Sequence, residues 1–67
     1  MDILRAKALA IELNELACKG CTKAWLEKQD VLTDPLQEIN DCESLGFITP
    51  QRKERLINEV KEINAAN

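Results

Sequence analysis

The sequence predicts an all-α protein of three helices, a long N-terminal helix followed by an antiparallel hairpin of two shorter helices. Three observations support this fold class. No alternation of apolar and polar residues, the pattern typical of a β-strand, occurs in the 67 residues. Asp34-Pro35 and Thr49-Pro50 each pair an N-cap residue with a proline suited to the first helical position. Gly46 lies between them, where a glycine commonly ends a helix.

The first predicted helix spans residues 3–28, because this segment contains no proline and no cluster of turn residues. Asp2 is its candidate N-cap. Apolar and small residues cover more of the predicted helix than one partner helix can bury, so we expect contacts with both the hairpin and a second copy of the chain. The residues predicted to line a helix crossing or dimer contact are Ala10, Leu13, Ala17, Gly20 and Ala24.

Gly20 is the position in the first helix that most needs an explanation. A glycine inside a helix is less favourable than alanine by about 1 kcal/mol, and a close helix crossing would compensate for this. The alternative is that Gly20 breaks the helix and leaves Cys18 and Cys21 at a bend.

The second and third helices are predicted at residues 35–45 and 50–64. Apolar residues recur at helical spacing in both helices, and the short connection after Gly46 favours an antiparallel pair. The chain is therefore interpreted as one helical domain, residues 1–67, that forms a helical-bundle homodimer.

Composition excludes several classes of function. The chain contains neither histidine nor tyrosine, and Ser44 is its only serine, so the usual general base and the triads built on it are missing. We therefore expect no enzymatic activity and no cofactor. No apolar run has the roughly 18 residues needed to span a membrane. The odd count of three cysteines favours a cytoplasmic protein with free thiols. The formal net charge of −3 argues against a general affinity for nucleic acids.

Cys18 and Cys21 form a C-x-x-C motif, which has three possible interpretations. A zinc site would need Cys42 together with Asp41 or Glu43, and this combination is weak. A redox couple normally opens a helix, whereas here a helix is predicted to precede the motif by several turns. We therefore expect small core residues, with no metal bound.

The function predicted by elimination is that of a regulator, adaptor or inhibitor that binds another protein of unknown identity through helical surfaces. Trp25 and Leu26 are candidate contacts because tryptophan is common in binding hot spots. The basic cluster Arg52, Lys53 and Arg55 is a second candidate, because cations in the first turns of a helix oppose its dipole. The alternative is a nucleic-acid-binding regulator that uses this basic cluster.

Overall fold

The computed structural model describes residues 2–30 and 33–66, and within these ranges the protein is helical with no strand. The helices are α1 (Ile3–Glu15), α2 (Lys19–Glu27), α3 (Pro35–Ser44) and α4 (Pro50–Ala66). α1 packs against α3, α3 against α4, and α2 against α4. The all-α prediction is confirmed, and the two predicted hairpin helices agree with α3 and α4 to within two residues.

The predicted helix over residues 3–28 is wrong, because the chain leaves the helix after Glu15 and re-enters it at Lys19. Leu16 (φ −71°, ψ 109°) and Cys18 (φ −152°, ψ 167°) both have extended backbone. The described chain therefore has four helices where three were predicted. Gly20 does not cause the break, since it lies in the first turn of α2.

α3 and α4 begin at the N-cap residues that the sequence predicts. Asp34 Oδ1 accepts hydrogen bonds from the backbone N–H groups of Leu36 (3.1 Å) and Gln37 (3.4 Å), and thereby caps α3. Thr49 Oγ1 accepts a hydrogen bond from the backbone N–H of Arg52 (3.1 Å) in the same way.

Gly46 ends α3 in a left-handed conformation with φ 80°. Its N–H donates to the carbonyl of Glu43 (2.9 Å), and the N–H of Phe47 donates to the carbonyl of Cys42 (2.9 Å). These two bonds form a Schellman motif, which satisfies carbonyls that the helix leaves without donors. The reversal brings Lys53 Nζ within 3.5 Å of Glu43, so that α3 and α4 form a hairpin.

The core lies where all four helices meet. Leu13 of α1, Ile39 of α3, and Leu56 and Val60 of α4 are completely buried. Trp25 of α2 is 5% exposed and closes the core on that side. Within the described ranges, none of the helices is both long enough and apolar enough to cross a lipid bilayer.

Candidate functional site

Two arginines of α4 point at the C-terminal end of α1. Arg52 Nη2 donates to the carbonyl oxygens of Leu13 and Leu16, and Arg55 Nη2 donates to that of Leu16 at 2.6 Å. The last carbonyls of a helix have no donors within the helix, and the helix dipole makes this end negative. Burial, followed by the charge of Arg55, lowers the pKa of Arg52. Both side chains therefore bind backbone groups of their own chain. The composition of the sequence did not indicate this role.

The same side of α4 also holds the beginning of α2. The buried hydroxyl of Thr22 donates to Glu59 Oε2 at 2.6 Å, and Arg55 Nε lies 3.7 Å from Glu59 Oε1. One turn further on, Glu62 forms an ion pair with Lys19. α4 thus fixes both sides of the α1–α2 bend, which we define as residues 16–18.

Cys18 is the last residue of this bend, and Cys21 lies next to it in the first turn of α2. Cys18 is the N-cap of α2, and its exposed Sγ lies 2.9 Å from the half-buried Sγ of Cys21. Cys18 Sγ also accepts a hydrogen bond from the backbone N–H of Cys21, at 3.4 Å. The side-chain contact with Cys21, followed by this backbone bond, lowers the pKa of the Cys18 thiol. A thiol of this kind, exposed at a helix N-terminus, has the features of a nucleophile.

Cys21 also borders a groove between α1 and α2. The groove has a volume of about 590 Å³, and Glu15 and Trp25 are among the residues that line it. Cys21 is therefore reached from the groove, whereas Cys18 is reached directly from solvent.

Cys42 lies apart from the other two cysteines. It is completely buried, and its thiol donates to the carbonyl oxygen of Ala6 at 3.5 Å. Burial raises the pKa of this thiol, and the charges of Glu38 and Asp41 raise it further. The zinc combination considered from the sequence is thus not brought together, and no group of three potential metal ligands occurs among the described residues.

Trp25 is a core residue and has a polar partner. Gln29 accepts a hydrogen bond from Trp25 Nε1 (3.1 Å) and donates to Glu38 Oε2 (3.0 Å) when its amide is oriented to satisfy both neighbours. Arg5 Nη2 forms an ion pair with the other oxygen of Glu38 at 2.9 Å. Leu26, the other candidate contact on α2, is half-buried against the core.

The residues predicted to line a helix crossing form two groups in the structure, one buried and one exposed. Ala10 and Leu13 are buried in the core of their own chain, whereas Ala17, Gly20 and Ala24 are exposed. Among the described residues, a Cβ on Gly20 would meet only Cys18 Sγ, at 3.9 Å, so none of the other three helices approaches there. Contact of the exposed three with a second copy stays a prediction.

The exposed side of α1 carries large apolar residues that the sequence analysis did not identify as a site. Leu4 is 76% exposed and Ile11 57% exposed, and Ala8 lies exposed between them. At about 100° per residue these three fall within an arc of about 60°, opposite the buried face of α1. We call Leu4, Ala8 and Ile11 the α1 stripe. The spacing of seven residues between Leu4 and Ile11 indicates that they share one side of a helix. The prediction of one uninterrupted helix over residues 3–28 did not show that this side is the exposed one.

The α1 stripe and the Cys18–Cys21 pair are thus the two features of this surface with the character of functional sites. One is apolar without a covering element from the described chain, and the other holds an exposed thiol whose pKa is lowered by its contacts with Cys21. No protein-family model, curated protein or solved structure matches the chain.

Proposed function

We propose that this protein is a non-enzymatic interaction module, a regulator, adaptor or inhibitor, whose first partner is a second copy of itself bound through the α1 stripe. The observation that carries the proposal is the exposure of Leu4 (76%) and Ile11 (57%) on one side of a helix whose other side is core. A helix with apolar residues on both sides is favoured when another helix covers the second side.

The arrangement of the α1 stripe favours self-association with the two α1 helices antiparallel. If Ala8 lies at the two-fold axis, Leu4 of one copy and Ile11 of the other lie within about 1.5 Å of the same height along the helices, and the small Ala8 side chains allow a close approach. The same register places Arg5 opposite Glu12 of the second copy, on one flank of the stripe, so that opposite charges meet. One face of α1 is therefore complementary to itself.

A parallel pair is less favourable for two electrostatic reasons. Glu15 continues the α1 stripe at its C-terminal end. In a parallel pair it would face Glu15 of the second copy, so that two carboxylates would lie close together. The helix dipoles would also lie side by side in the same direction, whereas an antiparallel pair sets opposite ends next to each other.

The dimer is expected to be weak. α1 has 13 residues and is therefore about 20 Å long, so a contact confined to it stays below the roughly 800 Å² per partner of a standard interface. We expect a dissociation constant on the order of 10 to 100 μM.

Sedimentation equilibrium over a concentration series tests the proposal. The parent chain should shift from monomer to dimer across the micromolar range, and Leu4→Glu or Ile11→Glu should remain monomeric because each variant buries a charge in the contact. Leu45→Glu is the matched control, since Leu45 is also an exposed leucine (43%) but lies outside α1. A monomeric parent at every concentration, or equal effects of all three variants, would contradict the proposal.

Cysteine pairing tests the orientation. In a background with Cys18→Ser and Cys21→Ser, an equimolar mixture of the Leu4→Cys and Ile11→Cys variants should form mixed disulfides faster than either variant pairs with itself. A parallel dimer would give the reverse result, because equal positions would then face each other.

Nucleic-acid binding through the basic cluster is the alternative, and the contacts of the cluster do not favour it. Arg52 and Arg55 donate to backbone carbonyls of α1, and Lys53 Nζ lies 3.5 Å from Glu43. A mobility shift at low salt that is lost on Lys53→Glu would nevertheless favour this alternative.

A further inference from the structure

The Cys18–Cys21 pair carries an inference that is independent of the α1 stripe. The two sulfurs are 2.9 Å apart, between the roughly 2.05 Å of a disulfide bond and the separation of two ligands on one metal ion. Two thiolates on a tetrahedral zinc, each at about 2.3 Å from the metal, would be about 3.8 Å apart. The two sulfurs are therefore within reach of a disulfide bond as they stand, whereas joint zinc coordination would require them to move about 0.9 Å further apart.

The surrounding contacts distinguish the two cysteines. Cys18 is exposed, and at the N-terminus of α2 it accepts hydrogen bonds that favour its thiolate. Cys21 is half-buried in the first turn of the helix, directly behind Cys18. An incoming disulfide therefore meets Cys18 first, and Cys21 is placed to react with whatever becomes attached there.

The charges that face Cys18 are divided between two elements. Lys19 on α2 is neutralised by Glu62 of α4, and Glu59 of α4 is held by Thr22 and Arg55. Glu59 raises the pKa of Cys18, but the contacts with Cys21 and the helix N-terminus outweigh it. Three residues of α4 that hold the bend, Arg55, Glu59 and Glu62, thus also fix the surroundings of the thiol.

We propose that Cys18 and Cys21 form a redox-active dithiol that exchanges with disulfides of other molecules, with Cys18 as the attacking and Cys21 as the resolving residue. The Cys18 thiolate attacks a disulfide R–S–S–R′, a mixed disulfide with R forms, and R′S⁻ leaves. Cys21 then loses its proton to solvent and attacks the sulfur of Cys18, which releases RS⁻ and closes the intrachain bond. Two thiols of the chain are oxidised to one disulfide, and one substrate disulfide is reduced to two thiols.

Oxidised glutathione serves as the test disulfide, with intact-mass spectrometry of the full chain as the measurement. The parent should lose two hydrogens and keep Cys42 as its remaining thiol. Cys21→Ser should accumulate a glutathione adduct on Cys18, because the resolving thiol is missing. Cys18→Ser should form its adduct more slowly, by about tenfold, since the thiol of Cys21 is less exposed than that of Cys18.

Three results would overturn the proposal: a stable adduct on the parent without ring closure, a covalent dimer through Cys18, or zinc retained on gel filtration with both thiols protected. Circular dichroism of both serine variants establishes that they are folded before their rates are compared. The same experiment on Leu4→Glu should give an unchanged result, so failure of the dithiol and failure of self-association are distinguishable.

Discussion

Arg52 illustrates how a charged residue can be used inside a small fold. Its guanidinium reaches from α4 to two carbonyl oxygens at the end of α1, while its Nε atom is buried without a hydrogen-bond partner in the described part of the chain. Hydrogen bonds from a charged donor are stronger than those between neutral groups, and the helix dipole adds to them. The contact therefore contributes to stability despite the desolvation of the charge.

Arg52→Ala should lower the free energy of unfolding by about 1.5 to 3 kcal/mol, because the carbonyls of Leu13 and Leu16 lose a charged donor. Urea denaturation followed by far-UV circular dichroism measures this change. Lys61→Ala is the control, as it removes an exposed cation from the same helix and should change stability by less than about 0.5 kcal/mol. Equal effects of the two variants would mean that the carbonyl contacts do not stabilise the fold.

At the scale of elements, the α1–α2 bend is made by distant residues and not by its own sequence. Leu16 and Ala17 are compatible with a helix, and no proline is present. The donors and acceptors that hold the bend come from α4, 36 to 39 residues further along the chain. A local reading of the sequence therefore predicted one helix where two are present.

The hairpin was predictable because its signals lie within a few residues of the positions they fix. Asp34, Thr49 and Gly46 each act on adjacent backbone, so α3 and α4 were found from the sequence alone. The motif of Cys18 and Cys21 was visible in the same way, but its chemistry was not. Their relation to a helix N-terminus exists only because the bend exists.

The two glycines should respond oppositely to alanine. Gly20 lies in a helix with space around it, so Gly20→Ala should raise the free energy of unfolding by about 0.5 to 1 kcal/mol. Gly46 has φ 80°, so Gly46→Ala should lower it by about 1 kcal/mol. Thermal or urea unfolding of both variants measures the difference. A loss of stability in Gly20→Ala would indicate an approach to Gly20 by a second chain.

At the scale of the whole molecule, the core is small and each of its members matters to global stability. Cys42 packs between α1 and α3, where its thiol reaches the carbonyl of Ala6. Because burial and neighbouring carboxylates raise its pKa in the folded chain, ionisation of this thiol favours the unfolded state.

The sign of this effect predicts alkaline destabilisation. The contribution of Cys42 is fully present below the ordinary thiol pKa of 9.0 and is lost as the pH rises through the raised pKa of the folded state. The free energy of unfolding should therefore fall more steeply between about pH 8 and about pH 10 in the parent than in Cys42→Ala.

Urea titrations at each pH measure these slopes. Ile39→Val is the matched control, because it removes a buried methylene and lowers stability by about 0.5 to 1.5 kcal/mol without removing a thiol. It should keep the slope of the parent. Parallel curves for parent and Cys42→Ala would show that the pKa of this thiol is the same in the folded and unfolded states.

The contacts that hold the α1–α2 bend come from α4, and this determines when the bend can form during synthesis of the chain. Ribosomes make proteins from the N-terminus, so Cys18 and Cys21 are synthesised well before Arg52, Arg55 and Glu59. A growing chain that ends before α4 has none of the α4 side chains that hold the α1–α2 bend. The spacing of the two thiols and the lowered pKa of Cys18 are therefore acquired only when α4 is added, and the nascent chain carries the motif before it carries the site.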